Sequence, residues 1–117
     1  DERESNFYKA VHMKHPCTLW SMESLENYNW HWDLFNSLCD EYIYRYKRVH
    51  KTDQLLRGRL LRPPENIPIV PRTPFRQAMF EECKGSNPIE AYRRFYHAKP
   101  FKMVWTNRPT PVWYSYK

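Results

Sequence analysis

Glycine is nearly absent from this chain: Gly58 and Gly85 are the only two in 117 residues. Phosphate-binding loops and dinucleotide fingerprints each need several glycines at fixed spacing, so neither can be built, and nucleotide hydrolysis through such loops is excluded. Cysteine is sparse too. Cys17, Cys39 and Cys83 are odd in number, widely spaced and without a CxxC pair, which argues against a disulfide framework or zinc knuckle and for reduced thiols. No run approaches the roughly 18 consecutive apolar residues of a membrane helix, and the opening DERESNFYKA carries no charged-then-apolar signal. A cytoplasmic protein without a membrane partner is therefore expected. That opening lacks an initiator Met, as a processed, tagged or truncated product would. Valine and isoleucine alternation is too thin for a sheet, and no internal repeat is visible.

Aromatic and basic residues are plentiful. Five Trp, nine Tyr and six Phe supply much of the apolar area, and most carry a polar tip suited to a core margin or a ligand-facing groove. Nineteen Lys and Arg against thirteen Asp and Glu give a net charge of +6 and a pI near 9.3, a balance that favours phosphate backbones or other anionic partners. The length suits one domain, residues 1–117, able to bury roughly two-thirds of its unfolded surface.

The helical spacing is clearest in the middle of the N-terminal half. Tyr28, Trp32, Phe35, Cys39, Tyr42, Tyr46 and Val49 step by four and three, with Leu25, Leu38 and Ile43 widening the stripe. A long central helix over about 25–47 is expected, capped by Ser21 or Ser24 and preceded by a short turn over Cys17–Met22 that opens at Pro16. Thr52 is read as the cap of a shorter helix through Leu55, Leu56, Leu60 and Leu61. From Pro63 to Pro74 five prolines forbid helix, so an extended segment should wrap outside, pinned by Ile67, Ile69 and Val70. A short helix over Phe75–Glu82 with Thr73 as cap, a helix over about 88–99 starting at Asn87-Pro88, and one further turn over Phe101–Trp105 complete an all-α bundle. Phe35 and Leu38 are expected to be covered by Ile89, Tyr92 and Phe95.

His12, His15 and Cys17 are crowded enough to suggest a metal, but His31, Cys39, His50, Cys83 and His97 are scattered, so no metal or other cofactor is expected. Cys39 lies on the apolar stripe, where a thiol packs rather than reacts. Glu41 and Arg45 are spaced for an ion pair. No catalytic residue is assigned; Lys9, Lys14 and Lys102 are amines without a pocket that would lower their pKa. The remaining basic and aromatic residues are Arg45, Lys47, Arg48 and Lys51 at one helix end; Arg57, Arg59 and Arg62 on the next; Arg93 and Arg94 beside Tyr92 and Tyr96; and Arg108 before Trp113, Tyr114, Tyr116 and Lys117. Such sets neutralise phosphates and stack bases. Exposed Trp and Tyr also anchor protein interfaces, so a protein partner or a second copy of the chain is the competing expectation.

Arg108-Pro109-Thr110 followed by Trp113-Tyr114-Ser115-Tyr116-Lys117 resembles the end of the bacteriophage pyrimidine-dimer DNA glycosylases. Cys39-Asp40-Glu41 with Arg45 and Lys47 is similar to a stretch of that family's central helix, and the likeness spans roughly the last two-thirds of the pattern. His15-Pro16-Cys17 with Trp20, and Ala91-Tyr92-Arg93, resemble segments of uncharacterised phage and marine-viral proteins, with which no activity comes. The first resemblance implies a small helical DNA-repair domain that grips and kinks duplex DNA and flips a base, with Arg108, Trp113, Tyr114 and Tyr116 as the damaged-DNA-binding tail. The family's nucleophile is the amine of an N-terminal Thr beside a Glu on a first helix. This chain opens on Asp1 with no equivalent helix before Phe7, and inserts Pro111 and Val112 into the tail. A DNA-binding module without cleavage of its own is the expectation.

Overall fold

The computed structural model describes residues 14–116, so His12, Lys9, Lys117 and the polar opening lie outside the described residues. The described chain is all-α: α1 (Pro16–Glu23), α2 (Leu25–Tyr46), α3 (Lys51–Leu60) and α4 (Pro88–Ala98), with a single 3₁₀ turn over Glu81–Cys83 and no strand among the described residues. The length suggests one domain; the contacts divide the chain into two compact units, Asp1–Pro74 and Phe75–Lys117, and each is described by itself. No helix is long and apolar enough to cross a membrane.

In the first unit, α1 begins at Pro16, where the missing amide costs nothing, and the His15 imidazole caps it by accepting from the Cys17 amide at 3.1 Å. Ser24 caps α2, its hydroxyl accepting from the Asn27 amide at 2.9 Å, as a serine before an apolar run should. The 22 residues of α2 span about 33 Å. Its C-terminus closes on Lys47 in the left-handed region (φ 56°), with the Lys47 amide donating to Ile43 O at 2.8 Å. His50, not Thr52, caps α3: its Nδ1 accepts from the Thr52 amide at 3.0 Å. A histidine is passed over by cap preferences drawn from Ser, Thr, Asn and Asp, yet one serves in this way at the start of both α1 and α3.

α3 runs back along α2, held by polar reaches from the aromatic stripe. Trp32 Nε1 donates to Arg57 O at 2.9 Å and Tyr28 Oη to Leu60 O at 2.6 Å. Arg57 completes the joint, meeting Asp53 with both ends of its fork at 2.7 and 2.9 Å, Asp40 at 2.8 Å and Asn36 at 3.2 Å. The two carboxylates hold its pKa above the ordinary guanidinium value. Arg57→Ala strands the largely covered Asp53 and is expected to cost about 1–2 kcal/mol in a urea melt, with Arg57→Lys recovering only part because an ammonium cannot make the fork. No loss with either variant would mean the joint holds without the arginine.

The proline-rich segment is extended and lies on α1 and α2, but polar bonds rather than apolar residues pin it. Ile67 is buried as expected, whereas Ile69 is 86% exposed and Val70 is also exposed. The attachment is made by Pro68 O, accepting from the Leu25 amide at 2.8 Å, by the Arg72 amide donating to Glu26 at 2.7 Å, and above all by Thr73. The Thr73 amide donates to Asn27 Oδ1 at 2.9 Å, its hydroxyl donates to Glu23 at 2.8 Å and accepts from Asn27 Nδ2 at 2.8 Å, and its carbonyl accepts from Trp20 Nε1 at 3.1 Å. Asn27 Nδ2 also reaches Trp20 O at 2.7 Å. With its amide and hydroxyl so engaged, Thr73 caps no helix, and residues 75–80 are not helical.

His31 joins α2 to α1 through Ser21. The Ser21 hydroxyl donates to Cys17 O at 3.0 Å, which leaves His31 Nδ1–H as donor to Ser21 Oγ. Partial desolvation of the ring, although His31 as a whole stays exposed, lowers its pKa, so the unfolded chain binds more protons than the folded one as pH falls through about 6.5. The stability at stake is present above that pH and is lost below it. His31→Gln should flatten that acid limb between about pH 7 and 5 relative to the natural chain; parallel curves for the two proteins would assign the limb to other groups.

In the second unit, Asn87 caps α4 by accepting from the Ile89 and Glu90 amides at 3.0 and 3.3 Å, with Pro88 opening the helix. Residues 75–80 are fastened in extended form. Tyr92 Oη donates to Arg76 O at 3.0 Å and accepts from the Ala78 amide at 3.2 Å, and the Gln77 amide group exchanges bonds with Gly85 N and O at 3.0 and 2.6 Å. Residues 101–105 form no further helical turn. Leu38 is 58% exposed and Ile89 60%, so neither is covered as the stripes suggested; Phe95 instead meets Phe80 and Lys99 within its own unit.

Candidate nucleic-acid interface

The basic end of α2 and the start of α3 form one corner. Tyr42 stands beside both Tyr46 and His50, with ring centroids 4.8 Å apart in each case, so the imidazole that caps α3 is also wedged against α2. Around this small aromatic base lie Arg45, Lys47, Arg48 and Lys51. Arg45 is engaged with Glu41 at 2.8 Å, the spacing read in the sequence. Lys47 Nζ lies 4.8 Å from the Tyr44 ring centroid. Arg48 and Lys51 are exposed and make no ion pair or hydrogen bond through their side chains among the described residues.

Two of these cations sit where local physics disfavours them. Lys47 takes a left-handed conformation that glycine or asparagine adopts at less cost. Lys51 occupies the first turn of α3, where the positive end of the helix dipole repels a cation. The nearby carboxylates do not compensate, because Glu41 is held by Arg45 and Asp53 by Arg57. The corner is thus a concentration of positive charge with exposed Tyr44 and Tyr46 on its rim.

On the other end of α3, Arg59 and Arg62 line a cleft with Gly58, Pro63, Pro64, Glu65 and Asn66. Arg57 does not join them, being consumed by Asp53, Asp40 and Asn36. Cys39 is buried beside this network. Burial, reinforced by Asp53 and Asp40 and partly opposed by Arg57, raises its thiol pKa, so it packs as a neutral small hydrophobe.

Of the tail aromatics of the second unit, Tyr114 is buried and Trp113 half-buried. Tyr114 is buried, stacked on His97 at 5.4 Å and 12°, and its Oη accepts from the Met103 amide at 2.8 Å. Trp113 has Tyr96 stacked at 5.7 Å, Trp105 edge-on at 6.0 Å and the Arg93 guanidinium over its ring at 5.2 Å. These rings therefore have internal partners where open stacking faces were expected; Tyr116 alone of the three is exposed, its hydroxyl donating to Pro100 O at 3.4 Å. Arg94 donates to Cys83 O at 2.9 Å, and Arg108 sits in a turn closed by its amide on Trp105 O at 3.1 Å. The reason lies in the length of the unit: one helix of 11 residues with little aliphatic content needs the tail aromatics to make a core at all.

No group of three or more His, Cys, Asp or Glu suited to a metal occurs among the described residues. The residue that sequence reasoning missed is Asn27, wholly buried and bonded to both Trp20 and Thr73. Its position three after Ser24 marks the capped first turn, but nothing local tells that its side chain turns inward. Comparison with protein-family models, curated proteins and solved structures finds no match.

Proposed function

We propose that this chain is a DNA-binding module that holds the phosphate backbone of a duplex at the α2–α3 corner, akin to the phage pyrimidine-dimer glycosylases that its tail and central helix resemble. The observation that carries the reading is the set Lys47, Arg48 and Lys51: cations without a carboxylate partner among the described residues, two of them in locally unfavourable positions. The Lys51 charge, disfavoured in the first turn of α3, is offset when an anion binds. Tyr44 and Tyr46 supply flat amphipathic surface beside the charge. Phosphate contacts of this kind position a duplex without reading its sequence.

The test is fluorescence anisotropy with a labelled duplex across a salt series. Three phosphate contacts predict that log K falls by roughly 2.7 per decade of salt. Affinity independent of salt would overturn the reading. A second reading, a protein partner or self-association, is favoured by one specific observation: Trp30, Leu34 and Leu38, spaced by four along α2, are all exposed. It predicts instead an interaction little altered by salt and lost with Leu38→Asp.

A further inference from the structure

Gly58 is anomalous. It lies inside α3 with no heavy atom within 4 Å of where a Cβ would stand, and its φ is not positive. A glycine within a helix costs roughly 1 kcal/mol relative to alanine. Neither packing nor backbone conformation requires one here. Gly58 is one of the residues lining an open surface cleft of about 860 Å³, together with Arg59, Arg62, Pro63, Pro64, Glu65 and Asn66.

The lining is chemically mixed in a way that narrows the ligand. Arg62 has no ion pair or hydrogen bond among the described residues, and its guanidinium, in the cleft that Arg59 also lines, is suited to a phosphate. Glu65 shares the cleft, so a bare anion meets repulsion as well as attraction. A ligand that carries both a phosphate and a hydroxyl or amino donor satisfies both signs. The adjacent rings of Pro63 and Pro64 give an apolar wall, and the bare Gly58 backbone lets a flat group approach α3 closely.

We propose that this cleft binds a single nucleotide unit, with the phosphate on Arg62, a sugar hydroxyl donating to Glu65, and the base against Pro63-Pro64 beside Gly58. The inference takes its ligand class from the nucleic-acid reading above but concerns a different end of α3.

The test titrates the full chain with thymidine 5′-monophosphate, with inorganic phosphate and thymidine as separate arms, by calorimetry. The monophosphate should bind about tenfold or more tightly than either fragment, and Arg62→Gln should weaken it about tenfold or more. Gly58→Ala should raise the melting temperature, because the helix gains, while weakening the monophosphate, because the methyl projects where the base would lie. Arg48→Ala with Lys51→Ala should leave the monophosphate unchanged, which separates failure of the corner from failure of the cleft. Inorganic phosphate binding as tightly as the nucleotide, or a stabilised Gly58→Ala protein with undiminished affinity, would overturn the assignment.

Discussion

Replacing Asn27 by alanine is expected to destabilise the first unit by about 3–4 kcal/mol, more than any single aromatic on the long helix. The side chain is wholly buried and makes three bonds: Nδ2 to Trp20 O and Thr73 Oγ1, and Oδ1 from the Thr73 amide. Alanine removes all of them at once and deprives the Trp20 carbonyl and the Thr73 amide of these bonds, while the Thr73 hydroxyl loses a donor but keeps its bond to Glu23; each buried group left unsatisfied costs about 1–3 kcal/mol if nothing moves. Partial relaxation of the extended segment and entry of water reduce the sum, hence the figure given. Against a typical total of about 5–15 kcal/mol this is a large fraction. Thr73→Val isolates part of the effect: it keeps the amide bond to Asn27 but removes the hydroxyl that links Asn27 to Glu23, and should cost about 1–2 kcal/mol. Chemical denaturation checks both. An Asn27→Ala protein within 1 kcal/mol of the natural chain would show that the joint is carried by the Trp20 and Ile67 packing instead.

The helices were legible because their signals are local. Pro16, Ser24, Asn87 and Pro88 announce starts, and the three- and four-residue steps from Tyr28 to Tyr46 announce a long helix; the structure places these elements within a residue or two of the reading. What was illegible depends on partners far along the chain. The spacing of the α2 stripe marks one apolar face but not how much of it finds a cover: the ten residues of α3 reach only about 15 Å along its 33 Å, so Tyr28, Trp32, Phe35 and Tyr42 are half-buried and Leu38 and Tyr46 exposed. For that reason Phe35→Ala should cost less than the 3–5 kcal/mol usual for a fully buried phenylalanine. Thr73 before Pro74 has the form of a helix start, but its hydrogen-bonding groups are claimed by Asn27 and Glu23, 46 and 50 residues away. Propensity lost to tertiary pairing. The candidate site divides in the same way: the positive corner follows from charges clustered in sequence, whereas the burial of Tyr114 follows from His97 and Met103 folding onto it.

Arg48→Ala combined with Lys51→Ala is expected to weaken duplex binding about fifty- to hundredfold near 0.1 M salt and to flatten the salt slope by roughly 1.8. Both side chains are exposed and engaged with no other group among the described residues, so their loss should leave the melting temperature nearly unchanged, and relieving the cation in the first turn of α3 should raise it slightly. Affinity and stability then move independently, which a misfolding artefact cannot reproduce. Arg45→Ala is the contrasting case, because Arg45 is bonded to Glu41. Its removal should cost only a few tenths of a kcal/mol in stability, and it subtracts one charge while freeing another of opposite sign. Lys47→Gly sharpens the test further: it relieves the left-handed backbone at φ 56° and should stabilise the chain while flattening the slope by roughly 0.9. If the double variant keeps both the affinity and the slope of the natural chain, the duplex does not touch this corner. Loss of association with Leu38→Asp alone would then move the interface to the exposed face of α2 that carries Trp30, Leu34 and Leu38.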